Sequence, residues 1–230
     1  MMNTRIFLRS ISIYVIAYLV LLMAVLGMLY AYPKPELHLL MNCHHSSFQD
    51  TFFKYYSVLA EWPLYVLALL PLLRKKVRLT VFFAVCELTG GALLQILKHL
   101  ISFDRPVSVF ETIPDQTLPL VGGVTMYHSN SFPSGHASTF FMFFTCIVIL
   151  QAYYYSLRSA PYTLRTQLLF HASSLLMLVL AALGAYSRVY LSQHFTSDVC
   201  VGSIIGFTIP FLMFYLFKFK ILTHKSDNKQ

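Results

Sequence analysis

Three short segments of this chain concentrate side chains able to handle a phosphate ester. In the first, Lys98 and Arg105 stand seven positions apart, close to two helical turns, so both cations share one face if a helix persists, and Pro106 predicts a helix end near Arg105. In the second, Pro133, Ser134, Gly135 and His136 directly precede an apolar run. Ser134 suits an N-cap, and Gly135 lets backbone N–H groups approach an anion at the positive end of the helix. In the third, Arg188 is followed by His194 and Asp198. His194 and Asp198 are four apart, so the carboxylate can hold one ring N–H and leave the other nitrogen as a nucleophile. Each segment alone also reads more plainly, as a snorkelling lysine with a loop arginine, an ordinary helix cap, and a solvated His–Asp pair at an interface.

The elements that must position these residues are membrane spans. Of 230 residues, 57% are hydrophobic and 11% charged, and the mean hydropathy is +0.64, which places the chain in a bilayer. Apolar runs recur along its whole length, so residues 1–230 read as a single all-α membrane domain. Six spans are predicted, over residues 11–32, 57–73, 79–100, 136–154, 168–186 and 199–217. The basic start at Arg5 and Arg9 suits a signal peptide, but the first apolar run is too long for one and no small-residue cleavage site follows.

A net charge of +8 raises nucleic acid as a partner, yet the cations form short clusters between apolar runs and no continuous basic face. Arg5 and Arg9, the Arg74 to Arg78 cluster, Arg158 with Arg165, and the lysines after residue 217 all fall on one side of the predicted bundle. The positive-inside rule makes that side cytoplasmic, with both termini there. The three chemical segments then meet at the opposite face, where the small, tail-poor chain suggests a bacterial inner membrane and a site facing the periplasm. A transferred phosphoryl group spreads its charge over three oxygens; Lys98, Arg105 and Arg188 can neutralise it together, without a metal ion or other cofactor.

In order and spacing, Lys98 with Arg105 and Pro106, then Pro133 to His136, then Ser187, Arg188, His194 and Asp198 resemble the three motifs of the type 2 phosphatidic acid phosphatase superfamily, the lipid phosphate phosphatases. The resemblance spans residues 98 to 198 with no departure at any motif position. It implies that His194 attacks phosphorus to form a phosphohistidine and that Asp198 orients and supports the ring. His136 would protonate the leaving group and then activate water, while Lys98, Arg105, Ser134, the Gly135 amide and Arg188 bind the phosphoryl oxygens. The nucleophile is expected at the membrane surface, contributing little to packing.

The expected substrate is a lipid phosphomonoester or lipid pyrophosphate: undecaprenyl pyrophosphate, phosphatidylglycerol phosphate, phosphatidic acid or a lipid A phosphate. A lipid-to-lipid phosphotransferase would use the same site, and a non-catalytic six-span transporter or scaffold has no use for so complete a set of groups. Vanadium-dependent haloperoxidases share similar anion motifs, but those compared are soluble. Beyond the lipid and the bilayer, no protein partner is indicated.

Other polar residues carry lesser expectations. Glu87, deep in the third span, reads as a buried structural hydrogen bond. His44 and His45 read as a solvated loop without metal-ligand spacing, and Cys43, Cys86, Cys146 and Cys200 show neither a disulfide nor a zinc pattern. Residues 33–56 suggest an interfacial helix guiding lipid inward, and residues 107–132 a loop that shapes substrate choice.

Overall fold

A computed structural model describes residues 2–61, 65–67, 69–70, 77–157 and 163–222. Every regular element among them is helical, as hydrocarbon demands of a backbone that must satisfy its own hydrogen bonds. The helices are α1 (Thr4–Ala31), α2 (Lys34–Met41), α3 (Ser47–Val58), α4 (Val77–Leu100), α5 (Pro106–Glu111), α6 (Gly135–Ser156), α7 (Leu164–Tyr190) and α8 (Thr196–Leu222). Five helices, α1, α4, α6, α7 and α8, are long and apolar enough to cross a bilayer. The chain is an all-α integral membrane protein. The span predicted over residues 57–73 falls partly outside the described residues; within it α3 ends at Val58, and residues 65–67 and 69–70 are helical.

The helices overrun the apolar runs that announced them. α7 extends from Leu164 to Tyr190, and α8 begins at Thr196. Polar ends can continue a helix when a side chain caps it: Thr163 Oγ1 accepts from the Thr166 amide at 3.3 Å and opens α7. Functional residues sit in these polar extensions, Arg188 in the last turn of α7 and Asp198 in the first turn of α8.

α6 is the least apolar of the five spans, yet the most buried. Polar groups such as Thr139 and Thr145 find partners inside the bundle, since lipid offers none. Tyr14 Oη and Thr145 Oγ1 lie 2.8 Å apart, and Thr139 donates to Glu87 Oε1 at 2.6 Å. Glu87 thus makes the buried hydrogen bond its depth required. Helix polarity follows from contacts at the two ends. The Asn3 amide donates to the Ser156 carbonyl at 3.3 Å, and Phe7 stacks on Phe214 at 5.0 Å. The start of α1 therefore meets the ends of α6 and α8. Arg5, Arg9, Arg78 and Arg165 lie near helix starts at this end, while the ends of α4 and α7 and the starts of α6 and α8 gather at the other.

Residues 33–56 form two short helices rather than one. The break falls between Asn42 and Ser46, where Ser46 Oγ caps α3 by accepting from the Gln49 amide at 3.2 Å. Both helices are tied to the bundle: on α3, Tyr56 Oη donates to the Leu180 carbonyl at 2.9 Å and the Phe53 and Tyr190 rings lie 4.5 Å apart, and on α2 the His38 ring lies 5.2 Å from that of Phe195.

Gly202 and Gly206, one turn apart on α8, let it lie directly on α6. A Cβ at Gly202 would collide with the Ser134 carbonyl, and one at Gly206 with the Ser138 carbonyl. Such small-residue faces are how membrane helices approach closely without a hydrophobic drive between them. Gly206→Ala is expected to lower stability despite a gain of about 1 kcal/mol in helix propensity. The obstructing atom is backbone that cannot rotate away, and overpacking of that kind costs about 1–3 kcal/mol. A lower thermal unfolding midpoint in detergent checks the sign.

Candidate active site

The three segments singled out by sequence meet at the common end of α4, α6, α7 and α8. Lys98 lies in the last turn of α4, which ends at Leu100. The helix does not persist to Arg105, so the two cations do not share a face in the way their spacing suggested; Arg105 is the N-cap of α5, with Pro106 in its first turn. A shared acceptor brings them together instead. Lys98 Nζ donates to the Asn130 carbonyl at 3.1 Å, and an Arg105 terminal nitrogen reaches the same oxygen at 3.5 Å. Arg105 also donates to the Ser129 carbonyl at 2.9 Å and to the Gln193 carbonyl at 2.9 Å. Burial pulls its guanidinium below the ordinary range, with Asp198 opposing, and Tyr127 stacks 5.2 Å from it.

Ser134 opens α6, its Oγ accepting from the Ala137 amide at 3.4 Å. Its own amide donates to the Asp198 carbonyl at 3.0 Å, which joins the start of α6 to the first turn of α8. Open space surrounds the position where Gly135 would carry a Cβ, so an anion can approach this helix start unobstructed. His136, in the first turn, is within electrostatic reach of Arg188, His194, Arg105 and Lys98.

Arg188 donates to Ser57 Oγ at 3.1 Å and to Gln193 Oε1 at 3.5 Å, while its Nε has no hydrogen-bond partner among the described residues. His194 lies just beyond, on the turn between α7 and α8, its amide bonded to the Arg188 carbonyl at 3.1 Å. Its Nδ1 stands 3.7 Å from Asp198 Oδ2, an ion-pair distance too long for a hydrogen bond. At 2% exposure the imidazole is buried, contrary to the surface position expected of it, because the turn folds back under residues 119–130. That burial pulls its pKa down to about 4, with the Asp198 carboxylate opposing and Arg105 and Arg188 reinforcing the fall.

Asp198 is wholly buried. Its Oδ2 accepts from Ser131 Oγ at 2.5 Å and from the Phe195 amide at 3.1 Å, and its Oδ1 accepts from Ser197 Oγ at 3.0 Å. The carboxylate is thus held in a fixed cage of donors. Among the described residues, Lys98, Arg105 and Arg188 have no carboxylate within ion-pair distance. Three buried or half-buried cations near an imidazole, with no carboxylate at ion-pair distance among the described residues, can receive a multiply charged anion. Among the described residues no three His, Cys, Asp or Glu side chains gather as metal ligands.

The sequence profile of the PAP2 superfamily matches residues 79–222. The chain belongs to the PAP2 superfamily. Every residue nominated for the site lies within that stretch, and the membership makes the protein a membrane phosphatase. Two solved PAP2-type folds agree with its architecture. LpxE of Aquifex aeolicus superposes with a TM-score of 0.59 at 22% identity, covering 78% of this chain and 93% of its own. The transmembrane PAP2 type phosphatidylglycerolphosphate phosphatase of Bacillus subtilis superposes with a TM-score of 0.55 at 19% identity, covering 95% of this chain and 100% of its own. No curated protein sequence matches the chain significantly.

The PAP2 motifs leave out much of what holds this site. Ser131 binds the carboxylate of Asp198, and Gln193 joins Arg105 to Arg188 while its amide nitrogen donates to the Thr125 carbonyl at 2.9 Å. Gln193 adjoins His194 in sequence, but nothing in its type announced a bridge between two arginines. The loop carbonyls of Ser129 and Asn130 are invisible to any reading of side chains. His45, expected in a solvated loop, is half-buried and held by Asp50 and Asn42, whereas His44 is exposed.

Proposed function

We propose that the chain hydrolyses a lipid phosphomonoester or lipid pyrophosphate through a phosphohistidine at His194. The observation that carries this reading is the trio of Lys98, Arg105 and Arg188, none within ion-pair distance of a carboxylate among the described residues, gathered beside an imidazole that a buried aspartate faces. The phosphoryl oxygens bind these cations, Ser134 and the Gly135 amide. His194 attacks phosphorus, and His136 protonates the departing alkoxide or phosphate. His136 then takes a proton from the water that cleaves the phosphoenzyme and returns free phosphate. Asp198 holds the attacking ring and offsets its positive charge once phosphorylated. The cationic ends of α1, α4 and α7 lie toward the cytoplasm by the positive-inside rule, so the site faces the opposite compartment, the periplasm of a bacterial inner membrane.

Phosphate release by the purified protein in detergent, offered phosphatidic acid, phosphatidylglycerol phosphate, undecaprenyl pyrophosphate and lipid A singly, tests the reading and names the substrate. Free phosphate appearing with one lipid supplied marks a hydrolase; its appearance only on another lipid marks a phosphotransferase. The activity is expected to survive a chelator such as EDTA, because the three cations do the work that a magnesium ion does elsewhere. A strict divalent-ion requirement would contradict the cationic cradle.

A further inference from the structure

Ser192, two residues before His194, has φ +52°, the left-handed region that non-glycine residues enter at a cost of about 1–2 kcal/mol. Such a conformation persists only where the surroundings over-determine it. Here its side chain, fully buried, has three partners. Ser192 Oγ lies 2.9 Å from the Pro119 carbonyl, 2.8 Å from Asn42 Nδ2 and 3.3 Å from His38 Nε2. On the backbone side, the Ser192 amide donates to Val189, and the Gln193 and His194 amides both donate to Arg188. The turn that carries His194 is therefore anchored to α2 through Asn42 and His38.

The directions of these bonds are forced. A carbonyl only accepts, so the Ser192 hydroxyl gives its proton to Pro119 and must accept from Asn42 and His38. His38 donates from Nε2 and stays neutral, since burial pulls it down to about 4 with Asp198 opposing and Lys34 reinforcing. With the Asn42 amide nitrogen at Ser192, its Oδ1 faces His45 Nε2 at 2.8 Å and can only accept. His45 Nδ1 lies 2.8 Å from Asp50 Oδ1, which also accepts from Tyr190 Oη at 2.6 Å. The Tyr190 hydroxyl, followed by His45, holds the Asp50 carboxyl below its usual range, so it remains an acceptor. The two ring nitrogens of His45 thus face the Asn42 and Asp50 side-chain oxygens and join them. Its ring sits 4.4 Å from that of Tyr190.

We infer that Asn42, His45, Asp50 and Tyr190 are positioning residues, a hydrogen-bonded strut that holds the Ser192 turn and through it the His194 imidazole, with His45 as its central link. The inference rests on His194 as the nucleophile but reads its support from α2, α3 and α7, outside the motifs. The groups facing His45 are Asn42 at the end of α2, Asp50 of α3 and Tyr190 of α7; of its neighbours in the chain, Cys43 and His44 are exposed.

The test compares the full-length wild type with Asn42→Asp, His45→Ala and Tyr190→Phe, each purified in detergent. Asn42→Asp keeps the shape but turns the donor toward Ser192 into an acceptor, and Tyr190→Phe removes one hydroxyl without touching the core. Amide exchange over residues 191–195, followed by mass spectrometry, is expected to quicken about tenfold in Asn42→Asp and His45→Ala, the worth of one buried hydrogen bond, and less in Tyr190→Phe. On the best lipid of the phosphate-release panel, kcat falls about tenfold in step while KM stays within about twofold, since the cradle for the phosphate is untouched. Unchanged exchange in all three variants overturns the strut, and so does quickened exchange with unchanged kcat. A wild type inert toward every lipid of the panel sinks the hydrolase reading instead, and the exchange measurement still decides the strut.

Discussion

Replacing His194 is expected to reduce phosphate release to background, a loss of at least about 10⁴-fold, the scale on which an enzyme loses its covalent route. The burial of this residue decides how the experiment is done. His194→Ala leaves a hole in a packed site, and large-to-small changes of this kind cost up to several kcal/mol. His194→Asn retains part of the volume and a polar edge, so equal inactivity in both variants, with the unfolding midpoint of the Asn variant near wild type, assigns the loss to chemistry. Acid-quenched wild type given labelled substrate should carry phosphate on nitrogen, labile to acid and stable to alkali, and neither variant should carry any. The pH profile adds a second reading. The folded imidazole titrates near 4 rather than 6.5 because burial outweighs the Asp198 charge. It is neutral and nucleophilic at every pH above that value, and the acid limb of kcat/KM that belongs to it appears only as pH falls toward about 4. Half of wild-type activity surviving in His194→Asn would end the phosphohistidine mechanism.

What sequence could show here follows from the range of the forces involved. Spans and their order are legible because the bilayer imposes one length and one polarity on every crossing segment, and caps such as Ser134 act within three residues. Lys98 and Arg105 show where local periodicity fails. Their seven-residue spacing fits a helix face, yet α4 stops at Leu100 and the pair is rejoined through Asn130, a residue of the following loop. Residues that act across long separations left no local trace: Ser131 is 67 positions from Asp198, and Asn42 is 150 from Ser192. His45 was unreadable for the same reason, its partners being set by how α2 and α3 dock on α7. The GxxxG spacing of Gly202 and Gly206 lay in plain view, but only the packed helices show that it sets Ser134 and Asp198 side by side.

Asp198→Asn is expected to lower kcat by about 10³–10⁴-fold, as for an aspartate that steers a catalytic histidine elsewhere, while leaving the fold intact. The donors around the carboxylate explain both halves. An asparagine can place its carbonyl at the Oδ2 position, accepting from Ser131 and the Phe195 amide as the carboxylate does, and turn its amide nitrogen toward Ser197, whose hydroxyl can rotate to accept. The flipped amide would set donor against donor at Phe195, so one orientation prevails. Geometry is kept and charge is lost. Once His194 carries the phosphoryl group its ring is cationic, and Arg105 and Arg188 already act against positive charge there, which the Asp198 carboxylate opposes. Asp198→Ala tells the two contributions apart. It strands Ser131 and the Phe195 amide in a site with no exposure, each worth about 1–3 kcal/mol, and should depress the unfolding midpoint as well as the rate. Near wild-type kcat in Asp198→Asn would show that the cage holds the ring by shape alone and that its charge takes no part in the reaction.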